Sequence, residues 1–332
     1  MRKTAVVGVG YLGRFHAQKY AQSKNAELVA VVDLDRERGE AVAAEVGAEY
    51  VADYRRLPEL GVTAASVASV TSSHFEVASW LLAHGIDVLV EKPITVTVAE
   101  AEELIKTARS NGRILQVGHL ERFNPAFRAM KEVLTAPLFF EVRRIAQFKG
   151  RGHDVDVVRD LMIHDIDIVS HLVGRPVKSV EAVGVPVLTD KVDIANARIS
   201  FEGGAVANFT ASRAAFKTER SIRVFQPDVY ISLDFGAKRL KIYQKKAGEG
   251  VTPDIPAIDF RELPVEERDA LEHEIEAFIE ASATGTSPEV TGEDGLRALR
   301  LAEQITESMR INLNEAGLLL QTESAAPSAG AV

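Results

Sequence analysis

The stretch "VVGVGYLGRFHA", residues 6–17, decides how the first part of this 332-residue chain folds. It runs from apolar residues into Gly8, Gly10 and Gly13, the G-x-G-x-x-G spacing, and then continues as a helix. The first glycine permits a tight turn, the second lets a pyrophosphate approach the backbone, and the third lets helix and strand pack closely. The helix start offers free N–H donors and a partial positive charge. Spacing alone is a weak signal. Asp33, 20 residues after Gly13 at the end of the next apolar run, adds an acceptor for a ribose diol.

Outward from this turn, short apolar runs alternate with amphipathic segments. "KTAVVGVG", "ELVAVVD", "AASVASV", "DVLVEK" and "RILQVGH" read as strands whose near-continuous apolar character suits a parallel sheet covered on both faces. Between them, 35–47, 72–85 and 97–112 read as helices, the last two ending at the cap glycines Gly85 and Gly112. The fold class is α/β. An N-terminal Rossmann domain, a doubly wound parallel sheet, is expected over 1–120. Longer strands follow, among them "LFFEVRRIAQFKG", "VKSVEAVGVPV" and "RSIRVFQPDVYISLDFG", with a hairpin turning at Gly203-Gly204. They predict a C-terminal α+β domain over 121–315 on a largely antiparallel, open-faced sheet, closed by helices near 265–284 and 292–313. A disordered tail is expected over 316–332.

Composition narrows the function classes. With 46% hydrophobic and 26% charged residues, and no apolar run of membrane-spanning length, a soluble globular protein with no membrane partner is expected. A net charge of −9 argues against nucleic acid as a partner. The basic run "KRLKIYQKK" (238–246) reads as the solvated face of an edge strand. The absence of cysteine excludes disulfides, thiolate catalysis and cysteine metal sites. No secretion signal is read at the start, so the expected location is cytoplasmic.

Ligands of such sheets bind beyond the carboxyl ends of the strands. The expected cofactor contacts are therefore Gly8, Gly10, Tyr11, Leu12, Gly13, Asp33, Thr71, His74, Glu91 and Lys92. NAD is favoured over NADP, because Asp33 would repel a 2′-phosphate, although Arg36 and Arg38 lie nearby. Farther on, "VVRDLMIHDIDIVSHLVG" (157–174) reads as an apolar helix bearing Asp160, His164, Asp167 and His171 on one face. Titratable groups on a buried helix call for pairing or for chemistry. One helix cannot wrap a metal with ligands spread over three turns, so no metal is expected. Asp167 and His171 read as a stabilising polar pair.

Taken together, "GVGYLGRFHA", "VTSSHFEVA", "EKP" and the later Asp-x-x-x-His resemble the Gfo/Idh/MocA family of NAD(P)-dependent oxidoreductases, over roughly residues 3–313. That resemblance implies a reaction centre lined by Lys92, Asp160 and His164. The family's glycine-rich lead into the last motif is replaced here by "VDVVRDLMIHDID". "VGHLERFNPAF" with "VVRDLMIHDIDIV" further resembles the branch of UDP-N-acetylglucosamine 3-dehydrogenases, whose 3-keto product passes to an aminotransferase for lipid A. His164 would then be the general base, with a pKa suited to neutral pH. Asp160 would orient it, and Lys92 would stabilise charge on the alcohol oxygen or share the role of base.

A sugar-nucleotide substrate needs cations for its diphosphate. Candidates for substrate binding are Lys92, Arg122, Asn124, Lys149, Arg151, Arg159 and His164. The competing expectations are another sugar or polyol dehydrogenase, an NAD-dependent glycosidase that oxidises C3 transiently, and a non-catalytic dinucleotide sensor. A homodimer or homotetramer is expected, hiding apolar side chains of "ARISF" and "AVANFTAS" on the open sheet face.

Overall fold

A computed structural model describes residues 1–148, 155–246, 257–264 and 268–317. The chain divides into two units, Met1–Ala129 with Glu266–Arg300, and Met130–Val265 with Leu301–Val332.

The first unit is built on six parallel strands: β1 (Arg2–Val7), β2 (Ala26–Val32), β3 (Glu49–Val51), β4 (Ala64–Val67), β5 (Asp87–Glu91) and β6 (Leu115–Gly118). Their order is β3-β2-β1-β4-β5-β6, so the chain reverses direction across the sheet between β1 and β4. The connecting helices are α1 (Tyr11–Gln22), α2 (Arg36–Val46), α3 (Thr71–Ala83) and α4 (Val98–Ser110). A short helix, α5 (Pro125–Val133), follows β6. Val88, Leu89 and Val90 of β5 are all wholly buried, as a parallel strand covered on both faces requires. Caps come from the sequence: Thr97 and Glu100 form a capping box at the start of α4. Gly85 and Gly112 adopt φ of 82° and 60°.

The division differs from a cut at residue 120. Helix α7 (Ala270–Thr284) belongs to the first unit because Leu271, Ile275, Phe278 and Ile279 share a core with Val6, Tyr20 and Val31. Strand β3 was not anticipated.

The second unit carries eight strands: β7 (Phe139–Ile145), β8 (Val177–Val185), β9 (Ile194–Phe201), β10 (Val206–Ser212), β11 (Glu219–Gln226), β12 (Val229–Asp234), β13 (Arg239–Lys245) and β14 (Ile258–Pro264). The order is β14-β13-β12-β11-β7-β10-β9-β8, antiparallel except for β10 beside β7. The β9–β10 hairpin turns at Gly203 and Gly204, with φ of 86° and 92°. The basic run lies on β13, which is not an edge strand, because β14 pairs outside it.

Alternation gives each strand two faces. Ala197, Ile199 and Phe201, with Ala207, Phe209 and Ala211, point to the buried face. The open face is polar there: Asn196 donates to Thr210 at 3.0 Å and Arg198 to Asn208 at 2.9 Å. The expectation that "ARISF" and "AVANFTAS" expose an apolar surface is therefore corrected. Helix α6 (Ile163–Val173) is fastened to the buried face by Arg144 of β7, whose fork donates twice to Asp165 at 2.8 Å. Helix α8 (Gly292–Glu315) meets β8, where Ser308 accepts from the Ala182 backbone at 3.0 Å. Among the described residues, no helix is long and apolar enough to cross a membrane.

Candidate active site

The glycine turn has the geometry that its spacing predicts. Gly8 has φ of 83°, and a Cβ there would meet the Ser69 backbone at 2.5 Å. A Cβ on Gly13 would come within 1.8 Å of the Gly8 carbonyl oxygen, so only glycine allows α1 this close to β1. Gly10 is different: among the described residues, and its chain neighbours aside, nothing lies within 4 Å of where a Cβ would stand. That open space, at the start of α1, fits a pyrophosphate. Tyr11 is exposed at the helix start, Leu12 is half-buried, and Gly13 is buried beneath them.

Asp33, at the end of β2 and expected as the ribose acceptor, is tightly held. It accepts from the backbone of Val9 and Asp35, both at 2.9 Å, and from Arg38 at 2.6 and 3.1 Å. Burial pushes its carboxyl up, but the Arg38 and backbone hydrogen bonds prevail and hold it below the usual range. Sequence reading saw Arg38 as a neighbour; the structure makes it the partner of Asp33. Arg36 instead pairs with Glu40.

Thr71 opens α3, and His74 lies one turn on, buried to 1% exposure. The His74 ring nitrogens face the carbonyl oxygens of Pro93 at 2.9 Å and Ser69 at 3.1 Å. Burial pushes the imidazole below its ordinary value, against the opposing effect of those bonds. Its visible work is to tie the turn after β4 to the turn after β5. Glu91 ends β5 and is buried, with Lys92 immediately beyond it. The Lys92 backbone donates to Glu91 at 3.2 Å, and the Lys92–Pro93 peptide is cis.

Asp160 and His164 lie in the second unit. The regular helix expected over 157–174 is broken: Val158–Met162 forms a π-turn, closed by the Ile163 N–H on the Val158 carbonyl. Asp156 starts the segment, accepting from Val158 at 2.9 Å and Arg159 at 3.0 Å. A π-turn inserts an extra residue and commonly marks a functional position. Asp160 lies within it and His164 just after, both partly exposed, whereas Asp167 is buried to 1%. Asp165, outside the predicted stripe, is the buried partner of Arg144.

The candidate diphosphate cations separate by environment. Arg122 is 1% exposed and engages Asp294 at 3.4 Å within the first unit, which spends its charge internally. Asn124 caps the next helix, its side chain accepting from Ala126 at 3.0 Å and donating to Glu121 at 3.1 Å. Arg159 is half-buried beside Asp160. Lys149 and Arg151 lie outside the described residues, as does all of the predicted tail beyond residue 317. One group escaped sequence reading: His16, Ser66 and Glu274, which gather around Glu91 in the core. His16 is buried on α1 three residues after Gly13, the one local sign of it.

Comparisons with known proteins agree with this geometry. Residues 2–119 match the model of an oxidoreductase family with an NAD-binding Rossmann fold, and residues 143–229 match the GFO/IDH/MocA C-terminal domain. The chain is 40% identical over 309 residues to UDP-N-acetylglucosamine 3-dehydrogenase from Acidithiobacillus ferrooxidans, covering 91% of this chain and 96% of that one. A solved structure of that enzyme superposes with a TM-score of 0.87 at 38% identity, over 94% and 98% of the two chains. The scyllo-inositol 2-dehydrogenase (NAD(+)) of Bacillus subtilis is 28% identical, over 93% of this chain and 94% of its own.

Proposed function

Because the chain belongs to the Gfo/Idh/MocA family of NAD-binding oxidoreductases, we propose that it oxidises the C3 hydroxyl of UDP-N-acetylglucosamine with NAD. The observation that carries this reading is the 40% identity, across nearly the whole chain, to an enzyme of that name. The glycine turn, the open space at Gly10 and the acceptor at Asp33 fit a dinucleotide. NAD, when bound, supplies the hydride acceptor.

His164 takes the hydroxyl proton as the C3 hydride departs, acting as the general base. Asp160, four residues earlier in the π-turn, orients the imidazole and favours its cation. Lys92 donates to the alcohol oxygen and stabilises the charge that develops there. Arg159, beside Asp160, is the described cation proposed for the diphosphate. The 3-keto sugar would pass to an aminotransferase and on to lipid A.

Asp33 favours NAD, since a 2′-phosphate would meet its carboxylate. Arg38 moderates that preference, because its side chain is 47% exposed and its guanidinium lies against the same carboxylate. Following NADH absorbance on adding UDP-N-acetylglucosamine tests the reading, with myo-inositol, UDP-glucose and NADP in parallel. Stoichiometric NADH with UDP-N-acetylglucosamine and NAD is expected. Turnover of inositol alone would overturn the substrate, and sugar release without net NADH would identify a glycosidase.

A further inference from the structure

Three ionisable side chains meet in the core of the first unit. His16 of α1, Glu91 of β5 and Glu274 of α7 are all buried, and one nitrogen or oxygen of each lies within 4.8 Å of the others. Their surroundings are unequal. Glu91 meets His16 Nε2 at 3.1 Å and accepts the Lys92 backbone N–H at 3.2 Å. Gly118 makes room for it, since a Cβ there would lie 2.6 Å from Glu91 Oε1. His16 Nδ1 meets Ser66 at 3.1 Å, and the Tyr20 hydroxyl meets the same Ser66 oxygen at 2.9 Å. Glu274 is fully buried, and among the described residues neither of its carboxyl oxygens has a hydrogen-bond partner.

Two carboxyl groups this close in a buried site cannot both ionise. The charge settles where donors already stand, on Glu91, and the proton settles on Glu274. We propose that Glu274 is a positioning residue for Lys92: as the buried neutral acid, it leaves Glu91 the single anion that anchors the Lys92 backbone. This rests on the reading of Lys92 as a reacting residue.

Burial first, and then the charge of Glu91, push the Glu274 carboxyl well above the ordinary range. Burial also raises Glu91, but the hydrogen bond and charge of His16, with Lys92, hold it below that range. Other ionisable groups that meet α7 are Tyr20 and Lys19 of α1, Lys19 pairing with Asp269 and Glu272 at its start, and Arg2 and Asp87, which hold Ser282 at its far end. Arg122 in the turn after β6 is already engaged by Asp294.

The sign of the pH dependence follows. Between the ordinary carboxylate pKa and its raised folded value, Glu274 holds a proton that the unfolded chain releases. Stability therefore falls as pH rises through that window. Glu274→Gln removes the titration but keeps a neutral donor of similar shape, whereas Glu274→Ala keeps neither. Melting the full chain from about pH 5 to pH 9 and measuring kcat and KM for each variant tests the proposal. Glu274→Ala opens a void beside Glu91 that lets its carboxylate shift, so it should lower kcat by roughly 10–100-fold through a misplaced Lys92, and Glu274→Gln, which fills the same space without charge, should restore most of the loss. Glu274→Gln should also flatten the decline of Tm with rising pH. A Gln variant as impaired as Ala, or with an unchanged pH slope, overturns it. So does stoichiometric divalent metal in the purified protein, which would make the cluster a metal site. If Lys92→Ala turns over normally, the rate comparison falls with that reading, while the melting slope still decides where the proton resides.

Discussion

Gly10 and Gly13 share one turn, yet a methyl group at each should act in opposite ways. At Gly13 it would collide with the Gly8 carbonyl oxygen, at 1.8 Å, and force α1 away from β1. Gly13→Ala should lower stability by about 3 kcal/mol or more, measured by denaturant unfolding. At Gly10, among the described residues and chain neighbours aside, nothing lies within 4 Å of an added Cβ, and its φ of −66° carries no left-handed strain. Gly10→Ala should leave the melt nearly unchanged and weaken NAD by about tenfold, because the methyl occupies the pyrophosphate's approach. Equal losses of stability in the two variants would refute this division of roles. The proposed reacting residues follow a different logic. His164→Ala should retain NAD binding and lose roughly 10²–10⁴-fold in kcat, the usual contribution of a positioned acid or base. Lys92→Ala should lose a similar factor, and the double variant less than the product of the two. Near-normal turnover by His164→Ala, with His171→Ala impaired, would move the base along the helix.

Among the elements, α6 depends on a buried ion pair that sequence patterning did not reveal. Arg144 and Asp165 are 5% and 4% exposed and form a two-pronged pair between β7 and α6. Removing one partner leaves a buried charge without its counterion, so Arg144→Ala should cost about 3–5 kcal/mol in an unfolding titration. Replacing both with leucine should recover most of that loss. A single variant as stable as the parent would show the pair to be dispensable. The pair also shows where sequence reading stops. Strands such as β1 and β5 were legible because their apolar runs are unbroken and glycine or charge bounds them. Strand β3, three residues long, carries no periodicity to read, and β14 mixes charge with proline. The polar stripe at 157–174 was visible, but its π-turn was not, because hydrogen-bond register leaves no mark on polarity. Likewise the glycine turn and Asp33 could be found locally. The cluster of His16, Glu91 and Glu274 spans most of the chain and exists only once α7 packs on the parallel sheet.

For the molecule as a whole, the open face of the eight-stranded sheet sets the expected state of association. Its polar end, across β9 and β10, satisfies itself through Asn196, Thr210, Arg198 and Asn208. The other end carries a row of rings across five strands: Phe139, Phe225, Tyr230, Tyr243 and Phe260. Successive centroids lie 5.6, 4.9, 5.3 and 5.0 Å apart. Such a ladder stabilises its own sheet, since each cross-strand aromatic pair contributes about 0.2–1 kcal/mol. It also leaves a flat apolar strip, with Phe260 51% exposed. A second copy related by a two-fold axis can cover that strip with its own, because such an interface uses the same patch twice. We therefore expect a dimer, or a dimer of dimers, at micromolar concentration by light scattering. Tyr230→Lys and Phe225→Glu should each shift it to monomer while far-ultraviolet circular dichroism stays the same. The aromatic row, not the "ARISF" strand, should govern the change, so Arg198→Ala should leave the mass unaltered. A parent protein that scatters as a stable monomer would confine the ladder's role to holding its own strands together.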